Sequence, residues 1–238
     1  MRYDDRSESR LDIFPAGQGS PVFAWIHGGY WRSSSKRENA FVVPGLVRQG
    51  ITVVTIDYTL VPAVSLDEIV RQIRSSVAWI YGNITRYSGD PRRIHIGGHS
   101  AGGHLTGMVT SKGWHSSFDL PADIIGTALC VSGLFDLEPL RHTFVNEDLQ
   151  LDSASAARNS PINHIPEHSS AKLLATCGGD ESSEFRRQTE LYLSRWKLAG
   201  HSGEGIAMPG FHHFDIILEL ERSGNPLFDR LVGSISED

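Results

Sequence analysis

Arg93-Ile94-His95-Ile96-Gly97-Gly98-His99-Ser100-Ala101-Gly102 is the stretch whose reading decides the fold. Arg93–Gly97 is mostly apolar and reads as a strand, while Ala101 to Thr110 is helix-permissive. Between them stands the pentapeptide G-x-S-x-G, over Gly98 to Gly102. A strand, a sharp turn and a helix in that order put a serine on a strained turn with its hydroxyl presented outward. The turn crowds the positions two residues to either side of that serine. Gly98 and Gly102 meet the demand for small residues there. The pentapeptide alone recurs by chance in many chains; its strand and helix make Ser100 a candidate nucleophile.

Upstream, the apolar run Val22-Phe23-Ala24-Trp25-Ile26 ends in His27-Gly28-Gly29-Tyr30-Trp31. A serine nucleophile needs donors for the oxyanion that forms when it attacks a carbonyl. In the α/β-hydrolase arrangement these are the N–H after the serine, here Ala101, and N–H groups of an early glycine-rich loop. Glycine lets that loop approach the carbonyl with no Cβ in the way. Gly28 and Gly29 are therefore candidate oxyanion residues; an ordinary tight turn is the plainer reading, and the downstream elbow weighs against it.

Strand-like runs recur at Arg10–Phe14, Val22–Ile26, Ile51–Asp57, Arg93–Ile96, Ile124–Val131, Lys172–Thr176 and Gly205–Met208. The central ones are continuous apolar or β-branched runs, as expected of parallel strands buried on both faces. Between them, Ser65–Tyr81 lines up Leu66, Ile69, Val70, Ile73, Val77 and Ile80 at helical spacing, and Ser183–Leu198 does so with Phe185, Leu191, Leu193 and Trp196. The alternation predicts an α/β fold, specifically an α/β-hydrolase fold with a mostly parallel central sheet and helices on both faces. The expectation is one domain over residues 1–238. Its least regular stretch, 134–168, reads as an excursion covering the site.

Composition narrows the function class. With 238 residues, 39% hydrophobic and 21% charged, the chain has the makings of an ordinary globule. A net charge of −6 without a basic run argues against nucleic acid as a partner. No apolar stretch approaches the roughly 20 residues that span a bilayer, so no membrane is expected. Met1 to Arg10 is charged and lacks the apolar core of a signal peptide. The two cysteines, Cys130 and Cys177, read as buried free thiols, which suits a cytoplasmic location.

The serine needs a base and the base an orienting acid, in the chain order Ser, acid, His. Pro209-Gly210-Phe211-His212-His213-Phe214 follows the last expected strand and offers two adjacent histidines, between which spacing does not choose. Cys177-Gly178-Gly179-Asp180-Glu181 ends the preceding strand and offers two acids. Asp136 is a third option, better read as a turn aspartate before Pro139. Asp57 precedes the serine and is set aside as structural. His27, His99 and His104 lie close to the loops just described, and packing roles are favoured for each.

With these residues in hand the chain resembles the kynurenine formamidase (arylformamidase) and esterase branch of the α/β-hydrolases. The likeness rests on His27-Gly28-Gly29-Tyr30-Trp31, Asp57-Tyr58 with Pro62, Ser65-Leu66-Asp67-Glu68-Ile69, and Gly98 through Leu105. It continues through Ser132-Gly133-Leu134-Phe135-Asp136-Leu137, Ser160-Pro161, Glu184-Phe185 with Gln188, and His213-Phe214. The resemblance implies His213 as base with His212 as its neighbour. It favours Glu181 as the acid, with Asp180 the alternative. It further implies a small N-formyl aryl amide as substrate, Tyr30, Trp31, His99 and His212 as substrate-binding residues, and no metal or organic cofactor. Members of that family usually carry more residues before Leu11-Asp12-Ile13-Phe14, so a shortened sheet edge covered by a second copy, as in a homodimer, is a further expectation.

Three other readings compete. A carboxylesterase acting on short-chain or aryl esters would use the same residues. A metal-dependent hydrolase is suggested by the histidines, yet no H-E-x-x-H or comparable spacing occurs. A silent binding protein on a hydrolase scaffold would ordinarily have lost one of the site residues, and none is lost.

Overall fold

Burial on both faces accounts for the unbroken apolar runs of the central strands. The computed structural model describes residues 1–237. Seven strands form one sheet: β1 (Leu11–Phe14), β2 (Ser20–Ile26), β3 (Thr52–Ile56), β4 (Gly89–His99), β5 (Ile125–Val131), β6 (Lys172–Thr176) and β7 (Gly203–Gly205). Their spatial order is β1-β3-β2-β4-β5-β6-β7. Only β1 runs antiparallel, pairing with β3; every other neighbouring pair is parallel.

Successive side chains of a strand point to opposite faces, and each face has its own core. Val22, Ala24 and Ile26 of β2 join Ile94 and Ile96 of β4 on one face. There they meet α2 (Leu66–Asn83), α3 (Ala101–Val109) and α6 (Ser183–Leu198) through Ile69, Ile73, Leu105, Tyr192 and Trp196. The intervening Phe23 and Trp25 pack on the other face against α1 (Val42–Arg48) and α7 (Pro226–Ser236), through Leu46, Phe228 and Leu231. Ser65 caps α2 by accepting from the Glu68 N–H, and Asn225 caps α7 by accepting from Phe228. The excursion over 134–168 carries two short helices, α4 (Asn146–Leu149) and α5 (Ser153–Arg158), the latter closed by a capping box between Asp152 and Ser155.

One expectation about strands needs correction. The last strand is Gly203–Gly205, not Gly205–Met208. Beyond Gly205 the Ile206 N–H still donates to the Ala175 carbonyl at 3.0 Å while the Thr176 hydroxyl donates to the Ile206 carbonyl at 2.7 Å, and Met208 follows as an isolated bridge to Gly178. At the opposite edge, the first residues fold back on β1. Arg2 bridges Arg10, and the Met1 amino group and carbonyl both bond to Leu11. Cys130 is buried and Cys177 half-buried, both as free thiols. Among the described residues no helix is long and apolar enough to cross a membrane.

The helix after the serine is packed backbone to backbone against β2. A Cβ on Gly102 would lie 2.1 Å from the Ile26 carbonyl oxygen, whereas one on Gly82, near the end of α2, meets nothing within 4 Å. Gly102→Ala should therefore lower the urea midpoint by the equivalent of about 2–4 kcal/mol. Gly82→Ala should raise it by about 0.5 kcal/mol through helix propensity and chain entropy. Equal midpoints for the two variants would contradict this packing.

Candidate active site

Ser100 stands between β4 and α3 with φ 56° and ψ −116°, a conformation that costs a non-glycine residue about 1–3 kcal/mol. Neighbouring segments hold it there. Its N–H donates to the Val131 carbonyl at 2.9 Å, and its carbonyl accepts from His104 at 3.0 Å, beginning α3. A Cβ on Gly98 would come within 2.3 Å of the Gly102 carbonyl oxygen, so both glycines are required by contact. The Ser100 side chain is almost wholly buried, yet it lines a cavity, and its hydroxyl bonds to no described residue.

The glycine-rich loop lies directly against this turn. A Cβ on Gly28 would sit 3.2 Å from Ser100 Cβ, and Gly29 has φ +100°. The N–H groups of Gly28, Gly29 and Ala101 find no acceptor among the described residues, which leaves three donors beside the serine. Tyr58 fixes the loop from below: its hydroxyl donates to the His27 carbonyl at 3.1 Å, and its ring stacks on His27 at 4.3 Å. Tyr30 and Trp31 both take positive φ, 49° and 58°, and the turn sends their side chains different ways. Tyr30 lines the cavity. Trp31 is wholly buried, which corrects its expected role as a substrate-binding residue. Its indole N–H donates to His104 Nδ1 at 3.2 Å, so it anchors the loop to α3.

Of the two acids, Glu181 is the one that meets a histidine. Its Oε2 accepts from His213 Nδ1 at 2.7 Å, while Oε1 accepts from the Ser132 hydroxyl at 2.5 Å and the Gly178 N–H at 2.7 Å. Burial pushes this carboxyl upward, but the His213, Ser132 and Gly178 donors outweigh it and hold it below its ordinary range. Asp180 points to solvent. Asp136 accepts from the Glu138 N–H at 3.2 Å, as a turn residue does. The loops carrying Glu181 and His213 are zipped together: Gly179 N–H donates to Met208 at 2.8 Å and Asp180 N–H to Phe211 at 3.0 Å. A Cβ on Gly178 would strike the Phe211 carbonyl oxygen at 2.2 Å. From α6, the Arg186 guanidinium donates to the Gly179 carbonyl at 3.1 Å and to that of Glu181.

The remaining histidines are separated by their surroundings. His99 lies under His213, ring centres 4.5 Å apart, with Phe185 at 4.5 Å and Phe214 at 5.3 Å completing the enclosure of the base. Burial and the nearby His213 push His99 down to about 3, so it stays neutral. His104 is pushed to about 4 by burial, partly offset by its 2.7 Å bond to the Asn159 carbonyl. His212 is exposed and turns back on its own loop, contacting Asp215 at 3.2 Å. It lies outside the cavity that Ser100 lines, which corrects its expected substrate role. Among the described residues no three His, Cys, Asp or Glu side chains gather as metal ligands do.

The cavity holds about 470 Å³. Gly28, Gly29, His99, Ser100 and His213 form the end nearest the serine, and Tyr30, Arg32, Phe144, Phe214 and Ile217 also line it. Phe144 comes from the 134–168 excursion. Sequence reasoning missed Ser132, Arg186, Arg32 and Phe144 as parts of this region. Only Ser132 carried a signal, as the first residue after β5, level with the serine.

A Glu181–His213 pair beside the cavity that Ser100 lines, on a mostly parallel sheet, fits what comparison with known proteins finds. The BD-FAE family model matches residues 11–193. Kynurenine formamidase of Salmo salar is 34% identical over 230 residues, covering 92% of this chain and 75% of that protein. Kynurenine formamidase of Danio rerio is 33% identical over 225 residues, with the same coverage. This chain belongs to the BD-FAE family. It sits on the kynurenine formamidase and esterase branch of the α/β-hydrolases and is a hydrolase. A crystal structure of a candidate thioesterase from Silicibacter sp. TM1040 superposes with a TM-score of 0.82 at 28% identity, covering 99% of this chain and 84% of that one.

Buried neutral histidines, His104 and His99 among them, make stability depend on pH. In the unfolded chain each protonates near pH 6.5; in the folded protein His104 waits until about 4 and His99 until about 3. Between those limits the unfolded state binds more protons, so stability should fall as pH is lowered from 7 toward 3, and carboxylates held below their ordinary range, Glu181 among them, carry the fall further as they are protonated. His104→Gln should lower the urea midpoint at pH 7 yet give it a shallower pH dependence. An unchanged slope would show that His104 takes up its proton at the same pH folded and unfolded.

Proposed function

We propose that the chain hydrolyses a small acyl group from an aryl amide, most nearly the formamide of an N-formyl arylamine such as N-formylkynurenine. The whole chain acts as one α/β-hydrolase domain in this reading, on a small-molecule substrate and in the cytoplasm, where free Cys130 and Cys177 are at home. The observation that carries the chemistry is the 2.7 Å bond from His213 Nδ1 to Glu181, on the wall of the cavity that Ser100 lines. The formamide follows from the two relatives named kynurenine formamidase.

Because Nδ1–H is committed to Glu181, the Nε2 lone pair of His213 is the one available to take a proton. Ser100, free of other hydrogen bonds, turns toward it, gives up its proton and attacks the substrate carbonyl. The resulting oxyanion is received by the N–H groups of Gly28, Gly29 and Ala101, already oriented and unpaired. As the tetrahedral intermediate collapses, His213 passes the proton to the departing arylamine and leaves the acyl group on Ser100. A water, deprotonated by His213 in turn, releases the acid and restores the serine. Glu181 keeps the imidazole in the productive tautomer and stabilises the imidazolium between steps.

An ester would pass through the same tetrahedral intermediate, so carboxylesterase action on short-chain or aryl esters is the second reading, supported by the structural likeness to a candidate thioesterase. A panel of N-formylkynurenine, the matching acetamide and p-nitrophenyl acetate separates them. Formamide turnover at a kcat/KM at least comparable to the ester is expected; negligible formamide turnover beside good ester turnover would overturn the formamidase reading.

The roles of individual residues have their own test. Ser100→Ala should abolish turnover of every acyl substrate. Glu181→Gln should lower kcat by about 10³- to 10⁴-fold through the wrong tautomer of His213, whereas Asp180→Asn should change it less than about twofold. Comparable losses from the two acids would remove Glu181 from its assigned place.

A further inference from the structure

Charge in the cavity is distributed unevenly. Among the described residues that line it there is no aspartate or glutamate, and Arg32 is its one permanently charged side chain. His99 stays neutral, and His213 is engaged with Glu181. Arg32 is only three residues beyond Gly29, and its backbone N–H donates to the Gly29 carbonyl at 3.0 Å, so its position is tied to that of the oxyanion donors. One guanidinium nitrogen, Nη1, meets Asp148 of α4 at 2.8 Å, and the guanidinium carbon lies 5.8 Å from the Phe144 ring centre. Asp148 itself does not line the cavity; it holds the guanidinium from behind. A guanidinium carries five N–H donors, and the single contact to Asp148 leaves most of them unused. Beside it the exposed rings of Phe144 and Phe214 stand on the cavity walls.

We infer that Arg32 is a specificity-determining residue that accepts a carboxylate on the leaving group of the substrate, while Phe144 and Phe214 take its aromatic ring. The inference rests on the acyl-transfer reading of the site but not on the acyl group being formyl. Arginine suits the task because its planar fork pairs with both oxygens of a carboxylate. The side chain is partly exposed, so the gain is one of selectivity between substrates sharing the same reactive carbonyl. Asp148 limits the motion of the fork and preorganises it. The rival role for the same contacts is structural: Arg32 would latch α4 and Phe144 onto the glycine-rich loop and have no dealings with substrate.

The two roles separate in a ratio. Phenyl acetate and 3-(2-acetoxyphenyl)propanoate offer the same aryl ester, the second with a carboxylate insulated from the ring by two methylenes; formanilide and its analogous acid repeat the pair in the formyl series. The quantity to read is kcat/KM for the charged substrate divided by that for the neutral one. Arg32→Gln should lower this ratio by about tenfold or more, mostly through KM. Asp148→Asn, which keeps the cation and loosens only its hold, should lower the ratio by less than about threefold. An unchanged ratio in Arg32→Gln, with both substrates affected alike, would overturn the proposal in favour of the latch. So would a fall in Asp148→Asn matching that in Arg32→Gln. Failure of the formamidase reading shows elsewhere, as loss of the formyl series against the acetyl series at constant charge.

Discussion

Ser100 can stand at the head of α3 only because backbone alone fills the space on either side of it. Gly98 touches Gly102, Gly102 touches Ile26, and Gly28 lies against Ser100 and His99. Each contact is closer than a side chain would allow, and together they press the end of β4, the start of α3 and the loop after β2 into one block. The positive φ of Ser100 is sustained by that block and by the hydrogen bond to Val131. Local strain of this kind persists where the surroundings over-determine it. The same closeness brings the unpaired N–H groups of the glycine loop to the serine, so Ser100 and the donors beside it are consequences of one packing constraint.

Glu181 and His213 are fixed by a second arrangement of the same type, beyond the C-terminal end of β6. The Gly178-Gly179 backbone lies flush against the Pro209–Phe211 backbone, and four groups hold the Glu181 loop in place: Ser132, the Gly178 N–H, the His213 ring and Arg186. Burying a carboxylate is costly unless it is paired and hydrogen-bonded. Glu181 is fully supplied, with three donors for two oxygens. Asp180, one residue earlier, has its N–H in the zipper and its side chain in water, so adjacent acids with similar chemistry end in opposite surroundings.

How much of this was legible in the sequence follows the range of the forces involved. The elbow and the glycine loop are local patterns, and Gly98, Ser100, Gly102, Gly28 and Gly29 could be read from spacing within a few residues. The helices α2 and α6 declared themselves through apolar periodicity. Helix α7 carried a readable start in Asn225-Pro226 with Leu227, Phe228, Leu231 and Ile235 at helical spacing, but it is short and follows a polar stretch. Glu181 and Asp180 could not be separated by spacing, because the difference between them is a contact with Ser132, 49 positions away. Trp31 was misassigned for a similar reason. Whether an aromatic beside an oxyanion loop faces substrate or core depends on two successive left-handed residues, and neither Tyr30 nor Trp31 has a composition that announces such a turn.

Rigid and adjustable parts of the site are thereby divided. Everything near the reacting carbonyl stands on backbone packed against backbone, whose geometry a change of side chain on the surface leaves alone. Arg32, Phe144 and Phe214, which form the outer walls, are partly or largely exposed and come from three separate segments. An ester and a formamide demand the same donors, the same base and the same tautomer, so the inner block has no means to tell them apart. Discrimination must then arise where the leaving group lies, and there the cavity offers aromatic rings with a single fixed cation. A fold that holds its inner groups by glycine contacts can exchange outer residues such as Arg32 and Phe144 at little cost to that packing, and the relatives of this chain bear the names formamidase and esterase alike.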